Sequence, residues 1–263
     1  MTGVQTCALP IFTLVARVGK DVLGAEAVAG FRKDGINVDF VSTDKTAPSG
    51  VALIFVGKGG QNSIAVAGGA NARLSPADVK KAAKAIRGAA VLVAQLESPL
   101  DTIAAAAAIA AKAGVPFILN PAPARALPDD LLKLTSILTP NETEAELLTG
   151  VKVKDDATAA KAAAKLLARG VETVILTLGA RGAFVANATA AQVVPGFKVK
   201  AVDTTAAGDT FTGALAVALA EGKTLPAAIR FANAAAAISV TRLGAQPSAP
   251  TRREIEKFLK ANP

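Results

Sequence analysis

Asp203-Thr204-Thr205-Ala206-Ala207-Gly208-Asp209-Thr210-Phe211 runs directly into the apolar stretch 212–220, and its reading sets the architecture of the chain. Ala206, Ala207 and Gly208 carry almost no side chain. At the start of a helix their N–H groups can point outward, and an anion can come close to them. The first N–H groups of a helix lack intrahelical acceptors, and the helix dipole adds a potential that favours negative charge. Asp209 sits at that mouth. A carboxylate so placed can take a proton from an attacking hydroxyl while the amides hold the oxygens of a transferring group. A lone Gly-Asp would read as a helix cap; the whole string reads as an anion hole with a base beside it.

Working outward, short apolar segments at 12–18, 38–41, 90–95, 115–119, 136–139 and 173–178 read as strands, the first of them buried. Helical patterns separate them. Asp21 opens one that runs to about 34, and Ser75-Pro76 opens another. Those at 142–148 and 157–169 close on Gly150 and Gly170, and 100–113 is a further helix. Helices at 208–221, 226–241 and 252–260 finish the chain. This rhythm predicts a three-layer α/β/α sandwich with a mostly parallel central sheet covered on both faces. Segments 50–56 and 63–66, joined by the turn Gly57-Lys58-Gly59-Gly60, stand outside the rhythm and predict a small β lid at about 48–68. Residues 1–11 fit nothing that follows and read as a leader foreign to a domain spanning 12–263.

The 263 residues are 51% hydrophobic and 19% charged, which suits a globular core. No apolar run is long enough to suggest a membrane span. The absence of histidine excludes Ser-His triads and histidine acid–base or metal chemistry, so proton transfer falls to a carboxylate or a lysine. The single cysteine, Cys7, leaves no intrachain disulfide and suits a reducing cytoplasm. A formal charge of +8 reads first as a basic, well-solvated surface and, more sharply, as attraction of a polyanion such as ATP. Nucleic acid is not an expected partner, because no stretch interleaves the basic residues with aromatics.

Further motifs lie between the strands. Asn141 and Glu144 are three apart and share a helix face. They could hold hydrated Mg²⁺ near phosphates, or simply form a capping box. The turn Thr177-Leu178-Gly179-Ala180-Arg181-Gly182 follows a strand, and its glycines suit either close passage by a ligand or a tight turn; it lacks the Gly-Lys-Ser/Thr ending of a P-loop. Glu97, in Gln95-Leu96-Glu97-Ser98-Pro99, lies at a strand end, where α/β sheets bind ligands. No strand is followed by Gly-x-Gly-x-x-Gly, so a dinucleotide-dependent dehydrogenase is not expected.

Taken together, 203–211, Asn141 with Glu144, 177–182 and the Glu97 segment resemble the ribokinase-like carbohydrate kinases of the phosphofructokinase-B type, from about residue 12 to the C-terminus. The resemblance implies that Asp209 is the catalytic base and that Ala206, Ala207 and Gly208 form the anion hole. Many members carry glycine where this chain has Ala206, and the extra methyl is tolerable if φ there is negative. The resemblance further ties Asn141 and Glu144 to Mg²⁺ and phosphate, residues 177–182 to the nucleotide and Asn233 to the adenine side. It assigns Glu97 and Asp209 to sugar hydroxyls. It implies a K⁺ site beside the anion hole at Asp203, Thr205, Ser239, Arg242, Gly244 and Ser248, several of them acting through carbonyl oxygens.

The implied activity is ATP-dependent phosphorylation of D-ribose at its primary 5-hydroxyl, giving ribose 5-phosphate. A kinase for another sugar or a nucleoside, and a non-catalytic nucleotide-binding remnant, are the alternatives. Members often pair through their lids, so a homodimer through the lid is a further implication. The family's opening strand with a sugar-binding aspartate, its first lid strands and its Gly-Gly-Lys-x-x-Asn helix start have no counterpart here. Gly59-Gly60-Gln61-Asn62 lies in the later hairpin and is no substitute. The resulting expectation is an incomplete lid, a missing central strand and impaired sugar binding.

Overall fold

The computed structural model describes residues 12–56 and 62–263. The leader at 1–11 and the turn at 57–60 lie outside the described residues. The strands are β1 (Thr13–Gly19), β2 (Asn37–Asp44), β3 (Val51–Val56), β4 (Asn62–Ala67), β5 (Leu92–Ala94), β6 (Phe117–Leu119), β7 (Ile137–Leu138), β8 (Thr173–Thr177), β9 (Gly182–Asn187) and β10 (Ala191–Pro195). The helices are α1 (Val22–Lys33), α2 (Pro76–Lys81), α3 (Ala83–Arg87), α4 (Leu100–Lys112), α5 (Asp129–Leu132), α6 (Glu142–Thr149), α7 (Asp156–Ala168), α8 (Ala207–Ala220), α9 (Leu225–Ser239) and α10 (Arg252–Ala261).

Six strands form one sheet in the order β10-β9-β8-β7-β6-β5. The run from β5 to β8 is parallel, and β9 and β10 add on antiparallel. Successive side chains of a strand point to opposite faces, and the sequence uses that period fully. Phe117, Leu119, Leu138, Val174, Leu176 and Phe184 pack on one side against Ile103 and Ala107 of α4, Ala145 of α6 and Ala162 and Leu166 of α7. Ile118, Ile137, Ile175, Ala183 and Val185 face the other way, onto Phe211 and Leu215 of α8, Ile229 and Ala232 of α9 and Ile255 of α10. Both faces are therefore covered, and the sandwich has its three layers. Each fully buried Leu or Ile contributes roughly 1.5–3 kcal/mol relative to exposure.

The helices start where the sequence places caps. Asp21 accepts from Gly24 N–H at 2.8 Å, and Ser75 forms a capping box with Asp78 in front of Pro76. Gly150 closes α6 with φ of +70°. Among the described residues no helix is long and apolar enough to cross a membrane.

β1 and β2 form a separate parallel pair. It shares a helical layer with β5: Val15 and Phe40 pack with Leu92 against Val79, Ile86 and Ala106. The expectation that 12–18 is buried is corrected. Leu14, Val15, Ala16 and Val18 are only half-buried, because they line a cavity of about 720 Å³ that they share with Leu92, Val93 and Ala94 of β5. β3 and β4 pair antiparallel as the lid hairpin, from Val51 opposite Ala67 to Val56 opposite Asn62. Its root is tied to the β1–α1 turn. Asp21 accepts from Ser49 N–H at 2.7 Å and from the Ser49 hydroxyl at 2.6 Å, and Ala70 N–H donates to the Pro48 carbonyl at 2.8 Å. This fixes where the hairpin leaves the body, beside the same cavity.

Candidate active site

The N-terminus of α8 is the centre of the site. Thr210 N–H makes the first intrahelical bond, to the Ala206 carbonyl at 2.9 Å. The amides of Gly208 and Asp209 therefore lie ahead of the helical ladder, where N–H groups face outward. Around Gly208 there is open space: a methyl group added to it would meet nothing within 4 Å. Ala206 occupies the N-cap with φ of +57° and ψ of 16°. The condition under which its methyl would be unstrained, a negative φ, is not met. Among the described residues Ala206 is the one non-glycine with positive φ, a conformation that costs an L-residue about 1–2 kcal/mol. The backbone holds it because Ala207 N–H reaches back to the Thr204 carbonyl at 3.3 Å. Such strain concentrates where a fold needs a particular backbone shape for function.

Asp209 opens onto the 720 Å³ cavity together with Gln95, Glu97, Ser98, Ala206 and Thr210. Its carboxyl is accessible from that space, yet the walls crowd it enough that desolvation pushes it above the ordinary aspartate range, against a hydrogen bond from Gln95 Nε2 to Oδ1. Glu97 is also pushed up, by desolvation first and then by the charge of Asp209. Glu144 is raised by burial, held back by the Asn141 N–H and raised further by Asp209. Glu97, across the same cavity, and the buried Glu144 thus each feel the charge of Asp209.

The other elements converge at the carboxyl ends of the parallel strands, as ligand sites of α/β sheets do. Asn120, after β6, donates to the Thr139 carbonyl at 2.9 Å, and the hydroxyls of Thr139 and Thr212 lie 3.3 Å apart. This joins the end of β7 to the first turns of α8. Asn141 bridges to Thr177, and Thr177 N–H donates to the Pro140 carbonyl at 2.9 Å, so the two predicted phosphate-side motifs lie side by side.

Within those motifs several side chains are already engaged. Asn141 and Glu144 form a complete capping box. Both Glu144 oxygens are engaged in that box, so direct coordination of a metal by both side chains would break it. Among the described residues no group of three or more Cys, Asp or Glu side chains has metal-holding spacing. Leu178 is buried in the core beneath α7. The Arg181 guanidinium pairs with Glu142 and Asp156, each at 3.0 Å. Gly179, Ala180 and Arg181 form a single 3₁₀ turn. Gly182 has φ of +100°, and a Cβ there would lie 2.2 Å from the Val194 carbonyl oxygen. The turn therefore exposes mainly backbone. Asn233 is buried, and its Nδ2 donates to the Val194 and Pro195 carbonyls at 3.1 Å each. That amide fastens α9 to β10.

The six residues named for a monovalent cation surround one junction. Asp203 Oδ1 accepts from Thr205 N–H and Oγ1 at 2.9 and 2.6 Å, while Oδ2 accepts from Gly244 N–H at 2.9 Å. Val202 N–H donates to the Val240 carbonyl, fastening the loop to the end of α9. Ser239 and Ser248 are fully buried and give their hydroxyls to the Ala236 and Ala245 carbonyls. Arg242 turns to Glu254. The structure thus joins Asp203, Thr205 and Gly244 directly, and leaves Ser239, Arg242 and Ser248 only their carbonyls to offer. An all-oxygen set fits a hard cation.

Sequence reasoning named Gln95 only as part of a string. It also missed the Thr139–Thr212 pair and Arg17, which bridges Asp44 at 3.2 Å and Asp78 at 2.6 Å. For Gln95 the signal was its place two residues before Glu97 at a strand end. For the other two no local signal exists.

Residues 12–252 match the family described as pfkB family carbohydrate kinase. A ribokinase of Haemophilus influenzae is 48% identical over 246 residues, covering 94% of this chain and 80% of the relative. The crystal structure of a ribokinase from Thermotoga maritima superposes with a TM-score of 0.85 at 41% identity, covering 94% of this chain and 81% of that one. The structure of Arabidopsis thaliana ribokinase complexed with ribose and ATP superposes with a TM-score of 0.83 at 36% identity, again with 94% and 81% covered.

Proposed function

Because this chain belongs to the pfkB family of carbohydrate kinases, we propose that it transfers the γ-phosphate of ATP to the primary 5-hydroxyl of D-ribose, giving ribose 5-phosphate and ADP. The observation that carries the reading is Asp209. It faces a cavity at the outward-pointing amides of α8, with the Glu97 carboxyl across the same opening. The Asp209 carboxylate accepts the hydroxyl proton as the ribose oxygen bonds to the γ-phosphorus and the bond to the β-phosphate oxygen breaks. The amides of Gly208 and Asp209, which lie ahead of the helical ladder, stabilise charge on the equatorial oxygens, whereas Ala207 N–H is already taken by the Thr204 carbonyl. Positioning and electrostatics supply most of the acceleration in such a transfer, which explains how a chain without histidine performs it.

Glu97 orients the sugar hydroxyls, and the backbone of 177–182 lies where the nucleotide is held. Asn141 and Glu144 would hold a hydrated Mg²⁺, which when bound neutralises charge on the phosphates. Asp203, Thr205 and Gly244, with carbonyls near Ser239, Arg242 and Ser248, would hold K⁺ and so stiffen the loop that leads into the anion hole. Exposed Leu53, Phe55 and Val66 on the hairpin support pairing of two copies through the lid. The single Cys7 supports a cytoplasmic setting. The test is an ADP-release assay on the purified chain with ATP and D-ribose. Ribose-dependent ADP release is expected; its absence under saturating ATP would overturn the assignment for this chain.

A further inference from the structure

Gln95 follows directly on β5, and Asp209 stands in the first turn of α8, 114 residues later; Gln95 Nε2 donates to Asp209 Oδ1. Both side chains line the same cavity. A side-chain NH₂ is a donor only, so it favours a carboxylate over a carboxylic acid. Burial and the neighbouring carboxylates act in the opposite sense. The walls desolvate Asp209. Glu97 after β5 and Glu144 on α6 both feel its charge, and by reciprocity it feels theirs. Arg17 of β1 also lines the cavity, but its guanidinium is committed to Asp44 and Asp78. Among the neighbouring side chains named, Gln95 is thus the donor that meets the carboxyl directly. Its neutrality matters chemically. A lysine there would hold the carboxylate charged but weaken it as a base, whereas an amide leaves its basicity largely intact.

We propose that Gln95 is a positioning residue of the transfer reaction, holding the Asp209 carboxyl in the orientation in which it meets the substrate hydroxyl. The inference rests on the reading of Asp209 as the base. Gln95 acts through Asp209 and needs no contact with either substrate.

The experiment is a ¹³C NMR titration of aspartate side-chain carboxyls in the substrate-free protein, with Asp209→Asn used to assign the resonance. Gln95→Leu and Gln95→Met both remove the donor at similar volume, so one folded variant suffices and circular dichroism verifies it. The expected result is a titration midpoint for Asp209 above that of the parent. In parallel, kcat falls roughly ten- to hundredfold, the range for a hydrogen bond to a charged group, with KM for the sugar little changed and the acidic limb of the pH profile moved upward. An unchanged midpoint would overturn the proposal, and so would a lowered one, which would mean that the amide accepts from a protonated Asp209. Failure of the base reading is separable: Asp209→Asn would then keep turning over, whatever the midpoints in the Gln95 variants.

Discussion

Asn141 and Glu144 close on one another through three hydrogen bonds: Asn141 N–H to Glu144 Oε2 at 2.8 Å, Asn141 Nδ2 to Oε1 at 2.9 Å, and Glu144 N–H to Asn141 Oδ1 at 2.8 Å. The box fixes the buried Glu144 carboxylate, which feels the charge of Asp209. Glu144→Ala should cost about 1 kcal/mol in urea unfolding, as the loss of a cap does. It should also raise the Mg²⁺ concentration needed for half-maximal activity. A stability loss with an unchanged Mg²⁺ requirement would reduce Glu144 to a cap alone.

Ala206 at φ of +57° yields a second prediction. Glycine removes a strain of about 1–2 kcal/mol there, while its freedom in the unfolded chain returns about 0.4–1 kcal/mol of that gain. Ala206→Gly should therefore leave stability unchanged or raise it by up to about 1.6 kcal/mol. Ala206→Val should lose stability and turnover together, because a β-branched residue is worse still in that region. Thermal unfolding of the two variants decides it.

The raised carboxyl of Asp209 sets a pH dependence of stability. A group that holds its proton more tightly when folded costs stability once pH exceeds its unfolded value, here near 3.8, and the full cost persists above the folded value. Asp209→Asn should therefore raise the melting temperature at pH 7, and the gain should fade as pH drops through the acid range. Activity should show the complementary limb, falling as Asp209 takes up its proton. A melting temperature lowered by Asp209→Asn at pH 7 would contradict this account.

Gly182 supports the nucleotide-side turn by being unable to carry a side chain. Its φ of +100°, and the Val194 carbonyl oxygen only 2.2 Å from where a Cβ would sit, leave no room for alanine. Gly182→Ala should cost about 2 kcal/mol or more, read by urea unfolding. It should weaken ATP binding, because the 3₁₀ turn and the β9–β10 hairpin are displaced together.

What the sequence made legible was local. Asp21, Ser75 and Asn141 announced helix starts because a cap acts within four residues of itself, and short apolar strands alternating with helices announced a sheet covered on both sides. The placing of Asp209 at a small-residue helix mouth was legible for the same reason. What escaped depends on partners distant in the chain. The φ of Ala206 is set by how 203–205 is fastened to α9 and Gly244, which composition does not encode. The partners of Arg181 and Asn233 escaped because nothing nearby in sequence announces Asp156, Glu142 or the carbonyls of β10. The half-burial of β1 escaped too, since an apolar run looks the same whether it meets a neighbouring strand or a cavity.

The most direct measurement on the central claim compares the parent chain with Asp209→Asn for ATP binding by calorimetry and for ribose-dependent phosphate transfer under single-turnover conditions. The account predicts ATP affinity close to that of the parent together with loss of transfer. Transfer at the parent rate by the asparagine variant, or loss of its ATP binding, would contradict it.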